Sequence, residues 1–171
     1  IPSPYDQSEI SIVHRGDAAI VERAIAQAVE AAPAMAALTG NQRAEILQKM
    51  RAGIVQRFDE LALAVQEEAG KPVTFARIEI ERALDTFEDA AECARRSEGE
   101  LLTLDGFGPG TGRTGLVMRV PVGPVSAITP FNFPFNLVAH KVAPGIASGC
   151  PLVLKPASQT PSAALIMAEL A

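Results

Sequence analysis

Over residues 1–100 the apolar positions recur at helical rather than strand spacing. Val21, Ile25 and Val29 stand four residues apart behind Asp17, whose carboxylate can accept from the free N–H groups of a first turn. A helix therefore starts at Asp17, and Pro33 is expected to end or kink it. Thr39 and Gln42 form a capping-box pair ahead of a second helical face, Ile46, Met50, Ile54 and Phe58. Gly70, Lys71 and Pro72 read as a stop. A further helix runs from about Thr74 to Arg96, with Phe75, Ile78, Leu84, Phe87 and Ala91 expected inward.

The period then changes. Between Gly106 and Gly115 the chain reads GFGPGTGRTG, which contains a G-x-G-x-x-G match at Gly110, Gly112 and Gly115. A dinucleotide fingerprint needs a strand before it and a helix after it. Leu116 to Val120 instead alternates as a strand around an outward Arg119, so these glycines belong to a hairpin or wide loop. Val125 to Ile128 is an unalternating apolar run, suited to a strand buried on both faces of a parallel sheet. A loop from Thr129 to Pro134 follows, and Pro134 is placed to open a helix. Phe135 to Ser148 has Val138, Val142 and Ile146 on one side, and Gly149 stops it. Pro151 to Leu154 is a second buried strand, Lys155 to Thr160 a second loop, and Pro161 begins another helix. Strand, helix, strand, helix with short connections predicts an α/β unit with parallel strands and a right-handed crossover. Ligands in such sheets bind outside the carboxyl ends of the strands.

Composition changes this picture little. The 171 residues are those of an ordinary globular chain with a formal net charge of −5, which argues against nucleic acid or anionic membranes as partners. No apolar run reaches membrane-spanning length and no signal-peptide pattern opens the chain. Cys93 and Cys150 lack metal-ligand spacing, so no metal site is expected. Free thiols suit a reducing compartment, and a cytoplasmic location is the expectation.

The chemistry concentrates in two loops, PFNFP at Pro130–Pro134 and KPASQTP at Lys155–Pro161. Asn132 either shapes a turn or offers a non-titrating amide donor. Lys155 is either a solvated lysine or a contact to a ribose or phosphate. With both motifs at this spacing, the chain resembles the aldehyde dehydrogenase superfamily over its whole length. The resemblance implies an α/β, aldehyde dehydrogenase-like fold, incomplete here. Residues 1–100 would be its helical part, 101–120 an oligomerisation hairpin, and 121–171 the first βαβα of a Rossmann-like sheet, ending before the catalytic domain. It further implies an aldehyde oxidised to a carboxylate through a thiohemiacetal, hydride transfer and a thioester, with NAD or NADP, in a homodimer or homotetramer.

The same resemblance assigns residues. Asn132 would help to stabilise an oxyanion, and Ile128, Thr129, Pro130, Phe131, Lys155 and Ser158 would lie on the cofactor side. Phe133, Asn136, Leu137 and His140, at i, i+3, i+4 and i+7, would share one helix face lining the substrate tunnel. His140 is otherwise a satisfied, half-buried histidine. Arg82 matches a position that binds an anion in phosphate-handling relatives, or else pairs with Glu79 or Asp85. Lys141 matches a lysine near the active site, or else forms a structural ion pair. Asn136, His140 and Arg82 together imply a polar or anionic aldehyde. Ser158, where NAD-preferring relatives commonly carry Glu, implies that NADP is accepted. The family's nucleophilic cysteine and general base match no residue of this chain, so the 171 residues alone are expected to be inactive. Two competing readings are a catalytically dead relative serving as a binding or assembly subunit, and a stand-alone nucleotide-binding module.

Overall fold

The core is organised on one long helix whose inward face is mostly alanine. A computed structural model describes residues 1–96 and 98–171. The helices among these residues are α1 (Ala18–Ala37), α2 (Gly40–Gln56), α3 (Phe58–Ala69), α4 (Val73–Arg95), α5 (Asn136–Ala147) and α6 (Ser162–Glu169). The strands are β1 (Glu100–Thr103), β2 (Thr114–Val117), β3 (Val125–Ile128) and β4 (Leu152–Lys155). Helix α4 buries Ala76, Ile80, Ala83, Phe87, Ala91 and Ala94, and α2, α3 and α5 all pack on it. Small side chains let those three helices come close to one axis, and Phe87 fills the space between them. Of the face expected inward, Phe87 and Ala91 are buried and Leu84 packs on the core, but Phe75 is 63% exposed and Ile78 43%. The inward positions that the expectation missed are mostly alanines, Ala76, Ala83, Ala90 and Ala94, together with Ile80.

The start signals hold. Asp17 accepts the Ile20 N–H at 2.9 Å, and the Thr39–Gln42 capping box closes in both directions. Helix α1, however, continues through Pro33 to Ala37. The proline removes one hydrogen bond, but Ala34, Met35, Ala36 and Ala37 are good helix formers, and Met35 packs against the core. Val21, Ile25 and Val29 are 49, 43 and 57% exposed, and only Ala28 of this helix is buried. The second expected face is split, because α2 ends at Gln56 and Phe58 opens α3. Arg57 sits at the break, where its guanidinium forks onto Glu60 and reaches Glu169 after α6's last turn begins. Hydrogen bonds to Glu60 and then Glu169 raise Arg57 above its usual value, and the Arg57 hydrogen bonds lower Glu60.

Strands β1 and β2 form an antiparallel hairpin, with Glu100 opposite Val117 and Thr103 opposite Thr114. The second strand, Thr114–Val117, shares only Leu116 and Val117 with the expected Leu116–Val120, so Arg119 lies beyond it. The glycine-rich connection holds a 3-10 turn at Gly108–Gly110 with no helix after it. A phosphate-binding turn is absent from this segment, as its flanking pattern required. Strands β3 and β4 are parallel, with Val125 opposite Leu152 and Ile128 opposite Lys155. They are not buried on both faces: only Ala127 of β3 is buried, and Ile128 is 67% exposed, because the described sheet has only two strands and little helix packs on it. Pro134 lies in the turn two residues before α5 rather than at its first position. Gly145 is where α5 meets β4, since a Cβ there would fall 2.5 Å from the Leu152 side chain. Gly149, at φ 76°, turns the chain out of α5. Among the described residues no helix is long and apolar enough to cross a membrane.

The alanine face generates a stability prediction. Phe87→Ala should cost about 3–5 kcal/mol by urea unfolding, whereas Phe75→Ala should cost less than about 0.5 kcal/mol. Equal losses would mean that Phe75 is packed inward as fully as Phe87.

Candidate functional site

Both chemistry-bearing loops leave the same edge of the sheet. The pairing of Ile128 with Lys155 places Thr129–Pro134 beside Pro156–Thr160, at the carboxyl ends of adjacent parallel strands. Asn132 is exposed at the bend of the first loop, flanked by Phe131 at 56% and Phe133 at 38% exposure, while Pro134 and Phe135 are buried. Its C-terminal flank is thus anchored and its amide is presented.

The anchor is Glu79, which sequence reasoning placed only as a partner for Arg82. Three residues after Ala76 and four before Ala83, it falls on the inward face of α4 and is 1% exposed. Its Oε1 accepts the N–H groups of Phe135 at 2.8 Å and Asn136 at 3.1 Å, the free donors at the start of α5. Its Oε2 accepts from Lys71 Nζ, whose ammonium also lies 4.0 Å from the centroid of the Phe133 ring. Arg82, one turn further along α4, lies 5.9 Å from the same centroid. Neither expected partner of Arg82 binds it: Glu79 is taken by Lys71, and among the described residues Arg82 makes no ion pair.

The second loop is anchored in the same way. Glu68 continues the buried series Leu61, Val65 of α3 and is 5% exposed. Its carboxylate accepts the Ser162 N–H at 2.9 Å and the Ser162 hydroxyl, both at the start of α6, and the Ser11 hydroxyl at 3.2 Å. A carboxylate at a helix N-terminus also meets the positive end of the helix dipole. The readable signal for both glutamates was a charged residue at an inward helical position.

The expected substrate face is only partly formed. Phe133 and His140 are exposed and Leu137 is half-buried, so His140 is not the satisfied, half-buried histidine of the alternative reading. Asn136 is 2% exposed and turned inward, its backbone bound by Glu79 and its Oδ1 without a partner among the described residues. Asn136 is therefore part of the packed start of α5 and does not line an open groove. His140 opens onto a cleft of about 930 Å³ bounded also by Thr86, Asp89, Cys93, Arg119 and Pro144. Arg82, Thr86, Asp89 and Cys93 follow one face of α4, so Phe133 and Arg82 stand at one end of that run and the cleft at the other. Exposed Lys141 borders a shallower hollow with Ser126 and Leu152 and forms no ion pair among the described residues.

A model of the aldehyde dehydrogenase family matches residues 1–171. The chain belongs to that family. It is 45% identical over 114 residues to a 3-sulfolactaldehyde dehydrogenase of Priestia aryabhattai, an overlap covering 67% of this chain and 24% of that protein. It is 44% identical over 113 residues to a probable succinate-semialdehyde dehydrogenase, NADP(+), of Sinorhizobium fredii, covering 66% and 22%. Its fold matches aldehyde dehydrogenase 21 of Physcomitrella patens, crystallised with the reaction product succinate, at TM-score 0.96 and 46% identity. That match covers 99% of this chain and 35% of the other. The chain thus spans about a quarter to a third of the length of these aldehyde dehydrogenases.

The donor set at the paired strand ends fits the dinucleotide that the aldehyde dehydrogenase fold implies. Lys155 is exposed and its Nζ donates only to its own neighbour, the Pro156 carbonyl, at 3.0 Å, which leaves ammonium protons for a ribose or phosphate oxygen. Ser158 is exposed in the same loop. Ile128 supplies apolar surface directly opposite Lys155, and Pro130 and Phe131 extend it. Thr129 is buried at 4%, and its hydroxyl has no partner among the described residues.

Proposed function

We propose that these residues form part of an NAD(P)-dependent aldehyde dehydrogenase that oxidises an anionic aldehyde to a carboxylate. The observation that carries this reading is the Ile128–Lys155 register, which puts a presented Asn132 amide beside a lysine-bearing loop at one sheet edge. When a thiol elsewhere in the intact polypeptide adds to the aldehyde, the carbonyl oxygen gains negative charge. A fixed amide donor stabilises that charge without reorganising during the reaction. Lys155 and Ser158 hold the adenine ribose, and Ile128, Thr129, Pro130 and Phe131 form the ledge beneath the dinucleotide. The bound NAD(P) supplies the hydride acceptor. Phe133, Leu137 and His140 border the aldehyde's approach, and Lys141 supports the site from the hollow beside β3. The exposed apolar hairpin, with Leu101 at 74% and Leu116 at 69%, supports a role as the arm of a homo-oligomer.

The anion is assigned to Arg82. Two cations flank Phe133, but Glu79 neutralises Lys71, so Arg82 is left to meet a carboxylate or sulfonate. The relatives support this: their names specify sulfolactaldehyde and succinate semialdehyde, and the moss structure holds succinate.

Three outcomes test the proposal in the intact enzyme. Asn132→Ala should lower kcat by about a hundred- to a thousandfold while leaving the circular dichroism spectrum unchanged. Near-normal turnover in a folded variant would reduce Asn132 to a turn residue. Arg82→Met should raise KM for an aldehyde bearing a carboxylate or sulfonate by roughly tenfold or more and barely affect a neutral one of similar size. An equal effect on both would remove the anion assignment. Ser158 carries no charge to repel a 2′-phosphate, so NADP should be accepted, and Ser158→Glu should shift the kcat/KM ratio toward NAD. An unchanged ratio would show that Ser158 is remote from the ribose.

A further inference from the structure

We infer that Glu79, with Lys71 as its counter-ion, is a positioning residue for turnover: it fixes the loop that presents Asn132, and so sets kcat rather than cofactor binding. The inference rests on the reading of Asn132 as an oxyanion donor.

The geometry brackets Asn132 on its C-terminal side. Phe133 is held under the Lys71 ammonium, Pro134 is buried, and the N–H groups of Phe135 and Asn136 both end on Glu79 Oε1. The donor's position thus derives from α4 through two backbone hydrogen bonds and one ring contact, not from contacts of its own exposed side chain. The Glu79 side chain is fully buried and that of Lys71 18% exposed, so the pair has little water to substitute for either partner. Lys71 joins the two holds, since one ammonium both binds the carboxylate and covers the Phe133 ring. Without the carboxylate, the first N–H groups of α5 lose their acceptor and the ammonium loses its tether. The loop then gains freedom at the three residues that follow Asn132. A displacement of about 1 Å at a catalytic donor can cost roughly a hundredfold in rate. The cofactor loop is unaffected by this change, because its helix is bound by a different carboxylate, Glu68.

The experiment is a double-mutant cycle in the intact enzyme, with kcat, the cofactor KM and NADPH binding by fluorescence as readouts. Glu79→Gln, similar in volume, keeps an amide oxygen for the backbone donors but loses the ion pair. It should lower kcat roughly tenfold, and Glu79→Ala roughly a hundredfold, with cofactor KM and NADPH affinity within about twofold of the parent. In an Asn132→Ala background each substitution should cost less than about twofold more, since the donor it positions is gone. The cycle is read from Glu79→Gln alone where Glu79→Ala does not fold. Losses that multiply in the Asn132→Ala background, or a folded Glu79→Gln enzyme with parental kcat, would overturn the inference. Asn132→Ala retaining parental kcat by itself would remove the oxyanion reading and this inference with it, a result visible in the single variant before any Glu79 substitution is made.

Discussion

A carboxylate with no access to water has to be matched in full, and Glu79 is matched by two backbone N–H groups and one ammonium. Taking a carboxylate and an ammonium out of water costs about several kcal/mol each, so the arrangement persists only where every partner is in place. That condition ties three segments together. Helix α4 supplies the carboxylate, the turn after α3 supplies Lys71, and the start of α5 supplies the donors. Loss of any one leaves a buried charge uncompensated. The loop before α5 is thereby specified by the core and not by its own sequence alone. Glu68 repeats the device at α6, with Ser11 and Ser162 as donors. Each loop at the carboxyl end of β3 or β4 therefore runs into a helix whose first turn is clamped by a buried glutamate from the N-terminal helices.

The strand–helix–strand–helix order was legible because its signals are local. Val125–Ile128 matches the observed strand residue for residue, and Gly149 does end the helix between the strands. The G-x-G-x-x-G match could be set aside on its flanks alone, and no helix follows it. What escaped the sequence was part of the burial on α4. Phe87 and Ala91 were expected inward and are buried, but alanine contributes little to a hydrophobicity pattern. Phe75 and Ile78 were therefore drawn in as well, and Glu79 was weighed only as a partner for Arg82. The same error hid the site's support: on the alanine register, Glu79 becomes a charge at an inward position, which demands partners. Asn136 failed for a related reason. The i, i+3, i+4, i+7 spacing gathers four side chains on a broad arc, but the edge of that arc nearest α4 is packed, and Asn136 lies on it.

The exposed apolar surface follows its own logic. Val21, Ile25 and Val29 on α1, the hairpin residues Leu101 and Leu116, and Ile128 on β3 have helical or strand periodicity, which is the mark of a face shaped to be covered. A two-stranded parallel sheet with one open side is rare as an independent structure, because such sheets rely on cover from both faces. The family's larger members, of which this chain spans about a third, set these elements within a bigger fold. Among the described residues these positions stand open, so the burial that their patterning predicted is not realised within this chain.

Helix α4 also joins two tasks that need not share an element. Glu79 fixes the loop carrying Asn132, and Arg82, three residues later, lies beside the Phe133 ring on which Lys71 also sits. The cation proposed to read the substrate's anion and the carboxylate proposed to orient the oxyanion donor are thus less than one helical turn apart on a centrally packed helix. An aldehyde held by its anion at Arg82 would be referenced to the same axis as the donor that must meet its carbonyl oxygen. Distance errors between the two contacts are then limited to side-chain freedom and to the short Asn132–Pro134 stretch ahead of the backbone that Glu79 holds. Such an arrangement discriminates by length as well as charge: a chain too short or too long would satisfy Arg82 and miss Asn132, and would be bound without being positioned for reaction.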